Sequence, residues 1–197
     1  TNAHLVIEEY QKTKFVPLEI NELNPVLIVL SAKNSNQLKE YAEKFLVFIK
    51  QSEEGEEKAS LNLEEIAYTL QIGREAMEER LGIVVCSTKD LTEKLAKYLA
   101  GEELIEDLYL GRVKKNKHTL PAFAADEDLQ KTISVWIEKR KYSKLLEFWT
   151  KGFNLDWAKL YSGQKPKKIS LPTYPFAKER YWIKPLEVHS LNTSKET

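Results

Sequence analysis

Asn24-Pro25-Val26-Leu27-Ile28-Val29-Leu30 is the stretch on which the fold turns. Five consecutive apolar residues behind a proline have the length of a strand and are too few for a buried helix. A run without alternation belongs to a strand covered on at least one face, in the centre of its sheet. Downstream, Asn34 or Ser35 can cap a helix whose apolar face is Leu38, Tyr41, Ala42, Phe45, Phe48 and Ile49. Residues 51–60 are charged and contain Gly55, the composition of a surface loop. Asn62, with Glu65 three positions on, forms a capping arrangement for a second helix facing inward through Leu63, Ile66, Ala67 and Leu70. Leu81–Cys86 repeats the buried-strand pattern. Ser87 and Asp90 then cap a helix with Leu91, Leu95, Tyr98 and Leu99 inside, stopped by Gly101, and Leu108–Val113 is a third strand.

The order is β-α-α-β-α-β over residues 25–113. Helical crossovers join parallel strands by right-handed connections. The expected fold class is therefore α/β: a small three-stranded, mainly parallel sheet with helices on one face.

Beyond Val113 the pattern changes. Lys114–Thr119 is basic and Pro121 breaks what precedes it; from Asp126 the chain is helical again, with Leu129, Ile133, Trp136 and Ile137 on one side. A second helix carries Tyr142, Leu145, Leu146 and Trp149 and ends at Gly152, and Asp156–Tyr161 adds a short turn. Two helices of about a dozen residues need partners for their apolar faces. Large aliphatic and aromatic anchors mark interface cores, which makes Leu129, Ile133, Trp136, Ile137, Tyr142, Leu145 and Leu146 the candidate partner-binding set. The alternative is that they are intramolecular core. The chain closes with a proline-broken aromatic segment, Ile169–Ile183. Proline and its predecessor are held extended, so this is a strap, and its packing anchors are Leu171, Pro172, Tyr174, Pro175, Phe176, Arg180, Tyr181 and Trp182.

The 197 residues suffice for one domain with appendages. Thirty basic and thirty acidic residues cancel, so no global field draws the chain to nucleic acid or membrane. No apolar run approaches the roughly 20 residues of a membrane span and no signal peptide is present, so a cytoplasmic location is expected. The single Cys86 excludes an internal disulfide and fits a reducing compartment. Charge is uneven: Glu53, Glu54, Glu56, Glu57, Glu64 and Glu65 crowd one segment, whereas Lys165, Lys167, Lys168, Lys178, Arg180 and Lys184 make the tail basic. Solvation explains both.

No constellation for chemistry emerges. His4, His118 and His189 lie far apart and none has metal-ligand spacing with another His or Cys. Cys86 ends an apolar strand, a setting for a buried, inert thiol. There is no Gly-x-Ser-x-Gly elbow and no phosphate-cradling glycine loop. The expectation is a non-enzymatic chain with no catalytic residue, metal or cofactor.

Three stretches carry a resemblance. Leu171-Pro172-Thr173-Tyr174-Pro175-Phe176, followed by Arg180-Tyr181-Trp182, resembles the linker that wraps back onto the ketosynthase in modular polyketide synthases. Trp149, Gly152, Leu155-Asp156-Trp157, Leu160-Tyr161 and Gly163 resemble its lead-in, and Thr1–Glu9 is similar to the last strand of a ketosynthase. Between them, Gly73-Arg74-Glu75-Ala76-Met77-Glu78-Glu79-Arg80-Leu81 resembles a recurrent signature of the linker subdomain.

The resemblance implies five regions: the ketosynthase end and connector (1–24), an α/β flanking subdomain (25–113), a helical insert with lead-in (114–163), the strap (164–187) and a flexible linker (188–197). It also implies that the ketosynthase nucleophile and catalytic histidines lie upstream of this chain. In family members with a built-in acyltransferase, that enzyme occupies the gap that Lys114–Phe148 fills here with a helical hairpin. The implied class is thus the trans-acyltransferase polyketide synthases, and the implied role is non-catalytic. The region would buttress the upstream ketosynthase, and its insert would mediate lateral contacts between neighbouring copies. Alternatively it serves as a docking platform for a free-standing acyltransferase. A reading of a different class, a small-molecule binder or degenerate enzyme at the strand ends, has only Ser31, Asn34 and Ser87 to offer as polar groups.

Overall fold

The computed structural model describes residues 4–6, 8, 19–54, 61–113, 127–161 and 165–177. Along the chain run β1 (Val26–Ala32), α1 (Ser35–Glu54), α2 (Leu63–Ile72), β2 (Glu79–Val85), α3 (Thr88–Ala100) and β3 (Leu108–Arg112). A helical hairpin, α4 (Glu127–Glu138) and α5 (Tyr142–Thr150), and a 3-10 turn (Trp157–Tyr161) follow. The α/β class and the order of elements agree with the sequence. His4, Leu5 and Val6, from the expected first strand, are exposed and outside any strand.

The local signals act where the sequence placed them. The Asn34 side chain accepts from the Gln37 amide, Asn62 accepts from Glu64 and Glu65, and Ser87 accepts from Asp90. Gly101 sits at φ 84° and closes α3, its amide bonding the Tyr98 carbonyl while the Glu102 amide reaches Lys97. Helix α1 runs on through Gln51–Glu54, residues whose charge had suggested a loop. Ordinary helix formers continue a helix into solvent until something stops it.

The sheet departs from expectation in direction. Its order is β1-β2-β3 and both pairs are antiparallel, with Val29 opposite Gly82 and Gly82 opposite Tyr109. Two helices, not one, separate β1 from β2. The first carries the chain away and the second brings it back, so β2 enters from the end that β1 left. A single helix separates β2 from β3, but residues 101–107 return the chain to the end of β2, where the Val84 amide bonds the Asp107 carbonyl. Asp107 turns at φ 59° into β3. The centre of the sheet is β2; β1, with its unbroken apolar run, lies at one side.

Burial explains why alternation is missing. Every residue from Arg80 to Val85 is buried, which requires cover on both faces. Helices α1 and α3 pack on each other and on the sheet. Leu81, Ile83 and Val85 join Ile28 and Leu30, Phe45 and Ile49 of α1, and Leu91 and Leu95 of α3 in the core. The alternate face, bearing Gly82, receives α5 of the hairpin. Each fully buried aliphatic or phenyl side chain contributes about 1.5–3 kcal/mol of transfer free energy, and this layered core sets the stability.

Candidate docking surface and its anchors

Three features stand out from the layered core: a buried arginine, the hairpin it holds, and the strap.

Arg80 interrupts an otherwise apolar strand and is only 5% exposed. Its Nε donates to the Met77 carbonyl at 2.9 Å, and its Nη1 donates to the carbonyls of Trp149 and Phe153 at 2.7 and 3.1 Å. The guanidinium also lies over the Trp149 ring, 5.0 Å from its centroid. Burial pulls its pKa below the ordinary value, yet an arginine keeps its proton in proteins. One planar fork thus ties the start of β2 to the end of the hairpin. A second tie lies at the hairpin turn. Arg140, at φ 50°, donates to the Leu23 carbonyl and to Asn24 Oδ1, joining the turn to the Asn21–Asn24 bend ahead of β1.

The hairpin divides its apolar residues between two environments. Ile133, Leu145 and Leu146 are buried, Leu146 completely, and Leu146 lies where a side chain on Gly82 would project. These three members of the candidate partner-binding set form core in this conformation and offer no free surface. Leu129, Trp136, Ile137 and Tyr142 are half-buried. The Trp136 ring meets Phe148 edge-on at 5.8 Å, and Phe148 stacks on Phe153. Val135, on the opposite side of α4 from Ile133, is exposed.

The strap runs over α1 and α2. The Ile169 amide donates to Thr69 Oγ1 at 3.0 Å. Leu171 and Pro175 are buried and Pro172 is half-buried. Tyr174 Oη accepts from the Lys33 amide at 3.0 Å and donates to Gln37 Oε1 at 2.9 Å, while Gln37 Nε2 donates to the Pro175 carbonyl. The lead-in is fixed in the same manner: Tyr161 Oη donates to Gln71 Oε1, and Gln71 Nε2 donates to the Leu27 carbonyl. Burial, then the nearby Glu64, push the Tyr161 hydroxyl well above the ordinary phenol range. Phe176, by contrast, is 77% exposed. The remaining strap anchors, Arg180, Tyr181 and Trp182, lie outside the described residues.

Sequence reasoning missed the receiving side of these contacts. Arg80 was detectable, since a charge inside Arg-Leu-Gly-Ile-Val-Val has to be buried with its strand. Gln37 and Gln71 gave no signal of their own, being polar residues of helices whose exposed faces are also polar.

Among the described residues no group of three His, Cys, Asp or Glu could hold a metal. Cys86 is half-buried, where a fully buried thiol was expected. Desolvation first, and the Asp90 carboxylate 3.5 Å from its sulfur second, raise its pKa and disfavour the thiolate. His4 is exposed, and His118 and His189 lie outside the described residues.

Comparison with known proteins places this arrangement. Residues 29–102 match the family described as "RhiE-like, KS-MAT linker domain". Polyketide synthase PksL of Bacillus subtilis (strain 168) is 48% identical over 182 residues, 92% of this chain and 4% of that protein. The chain therefore spans a small fraction of the curated relatives it matches. A solved ketosynthase from module 6 of the bacillaene synthase of Bacillus subtilis 168 superposes with a TM-score of 0.70 at 42% identity. It covers 80% of this chain and 27% of that one. The ketosynthase from module 1 of the bacillaene synthase of Bacillus amyloliquefaciens FZB42 gives 0.68 at 38% identity, covering 81% and 27%.

Proposed function

Residues 29–102 belong to the KS-MAT linker family and the chain is the linker region that flanks a ketosynthase in a polyketide synthase; on that footing we propose that it is a structural and docking element without catalysis of its own, in a synthase served by a free-standing acyltransferase. The subdomain buttresses the upstream ketosynthase, the strap returns along it, and the hairpin makes lateral contacts with a second copy. The short interval from β3 to α4, residues 113–126, supports the acyltransferase-free class.

The observation that carries the lateral reading is the division of the hairpin. Ile133, Leu145 and Leu146 are buried within the chain, while Leu129, Trp136, Ile137 and Tyr142, flanking them on the same helix faces, pack against that core and stay only half-buried. Aromatic and large aliphatic residues in that position are the usual anchors of an interface core. Sedimentation velocity over a wide concentration range tests it, with a Trp136→Ala, Ile137→Ala double variant as comparison. Self-association of the parent chain that weakens at least tenfold in the variant is expected. A monomer at every concentration sinks the lateral reading, and a titration with the free acyltransferase then decides whether these residues serve that partner.

A further inference from the structure

Strand β3 ends the order of the sheet and leaves one of its sides without a neighbouring strand among the described residues. The Asp107 carbonyl accepts from Val84 and the Val113 amide donates to Glu78, which fixes the alternation of an antiparallel pair. Asp107, Tyr109, Gly111 and Val113 bond toward β2, while the main-chain groups of Leu108, Leu110 and Arg112 point away from it. The Leu108 amide is taken by the Ile105 carbonyl. Among the described residues nothing bonds the outward N–H and C=O of Leu110 or Arg112. An edge of this kind is a template for another strand.

Its side chains are those of a strand left uncovered. Leu110 lies opposite Leu81, on the face over which α1 and α3 pack, yet Leu81 is fully buried and Leu110 is 55% exposed. The other face is closed, since a side chain on Gly111 would strike the Thr150 carbonyl of α5. Neither a proline nor a bulge protects the edge, and its one charge, Arg112, is held by Glu79 of β2 at 3.1 Å. Charge is also polarised along it: Glu102, Glu103 and Glu106 are exposed ahead of the strand, and Arg112 is exposed at its end.

We propose that β3 pairs with β3 of a second copy of this chain, antiparallel and with Leu110 on the two-fold axis, joining two sheets into one. Charge selects this occupant. An antiparallel copy brings the Glu106 end of each edge beside the Arg112 end of the other, whereas a parallel copy sets like charges together. In this register the two Leu110 residues exchange both main-chain bonds, and the Leu108 carbonyl of each copy receives the Arg112 amide of the other. The paired leucines cover each other on the open face. A two-fold interface uses the same patch on both copies, so this strand suffices. The surface is separate from Leu129, Trp136, Ile137 and Tyr142 and does not rest on the lateral role proposed for the hairpin.

Engineered cysteines test the register. In a Cys86→Ser background, Leu110→Cys sets two thiols across the axis on Cα atoms about 5.5 Å apart, within disulfide reach. Arg112→Cys sets its own pair roughly 14 Å apart, out of reach, but faces Leu108→Cys in an equimolar mixture. Under mild oxidation, Leu110→Cys is expected to form covalent dimer at least tenfold faster than Arg112→Cys alone. The mixture should likewise outpace either of its components. Equal rates for Leu110→Cys and Arg112→Cys, or no covalent dimer, overturn the proposal. Trp136→Ala with Ile137→Ala, added to Leu110→Cys, should leave the cross-link in place. Its loss would assign the contact to the hairpin and overturn pairing at β3.

Discussion

Arg80 shows how much one side chain can hold. It is buried, charged, and received by the carbonyls of Met77, Trp149 and Phe153. Replacing it with Met keeps the bulk and strands those carbonyls, each of which then bears part of its desolvation cost. Arg80→Met is expected to destabilise the chain by about 3 kcal/mol, a Tm loss of roughly 6–12 °C. Arg80→Lys should fall between, because an ammonium carries charge without the planar fork. Thermal melts of the two variants check this, and equal losses would mean that charge without the planar fork contributes nothing. Hydrogen exchange should show the loosening concentrated at residues 149–153. Parts of this were legible in the sequence: the Trp149-to-Trp157 lead-in and the signature around Arg80 were both recognised. Their meeting was not, because 69 positions separate Arg80 from Trp149 and no local pattern encodes that distance.

At the level of elements, the helices were readable and the direction of the strands was not. Asn62, Ser87 and Gly101 are local devices whose effect is confined to one helix end, so the sequence displays them in full. Strand direction depends instead on the path of the connections, and counting helices between strands is the informative step: the pair α1–α2 inverts β2 relative to β1. The two strand glycines carried a further signal. A glycine inside a strand marks a close approach, and Gly82 and Gly111 face α5. A methyl at Gly82 would come within 2.8 Å of Leu146 Cδ2, the movable end of a side chain, whereas at Gly111 it would strike the main-chain carbonyl of Thr150. Gly82→Ala should therefore cost about 1–3 kcal/mol, the usual range for an overpacked core, and Gly111→Ala more, because α5 itself must shift. Chemical denaturation measures both, and the reverse order would show that the hairpin is not seated as firmly on β3 as on β2.

Viewed whole, the molecule is complete on the inside and incomplete at chosen points outside. The sheet is covered on both faces, the strap is tied down from Ile169 to Pro175, and then Phe176 emerges into solvent with the Tyr174 ring edge-on to it, 5.0 Å away. A large aromatic residue in that state has most of its transfer free energy still to gain. If the strap leaves this chain toward the ketosynthase at Phe176, the residue is idle here and useful there. Phe176→Ser should then shift Tm of this chain by less than about 1 °C, as a surface substitution does. In a longer protein that includes the upstream ketosynthase, the same substitution should speed hydrogen exchange of the strap severalfold and leave the core of the flanking subdomain unaffected. Tyr174→Phe is the matched control: it breaks bonds to Lys33 and Gln37 that lie within this chain, so it should weaken the strap equally in both proteins. A Phe176 effect of the same size with and without the ketosynthase would place the contact inside this chain, and the strap would then serve the subdomain alone.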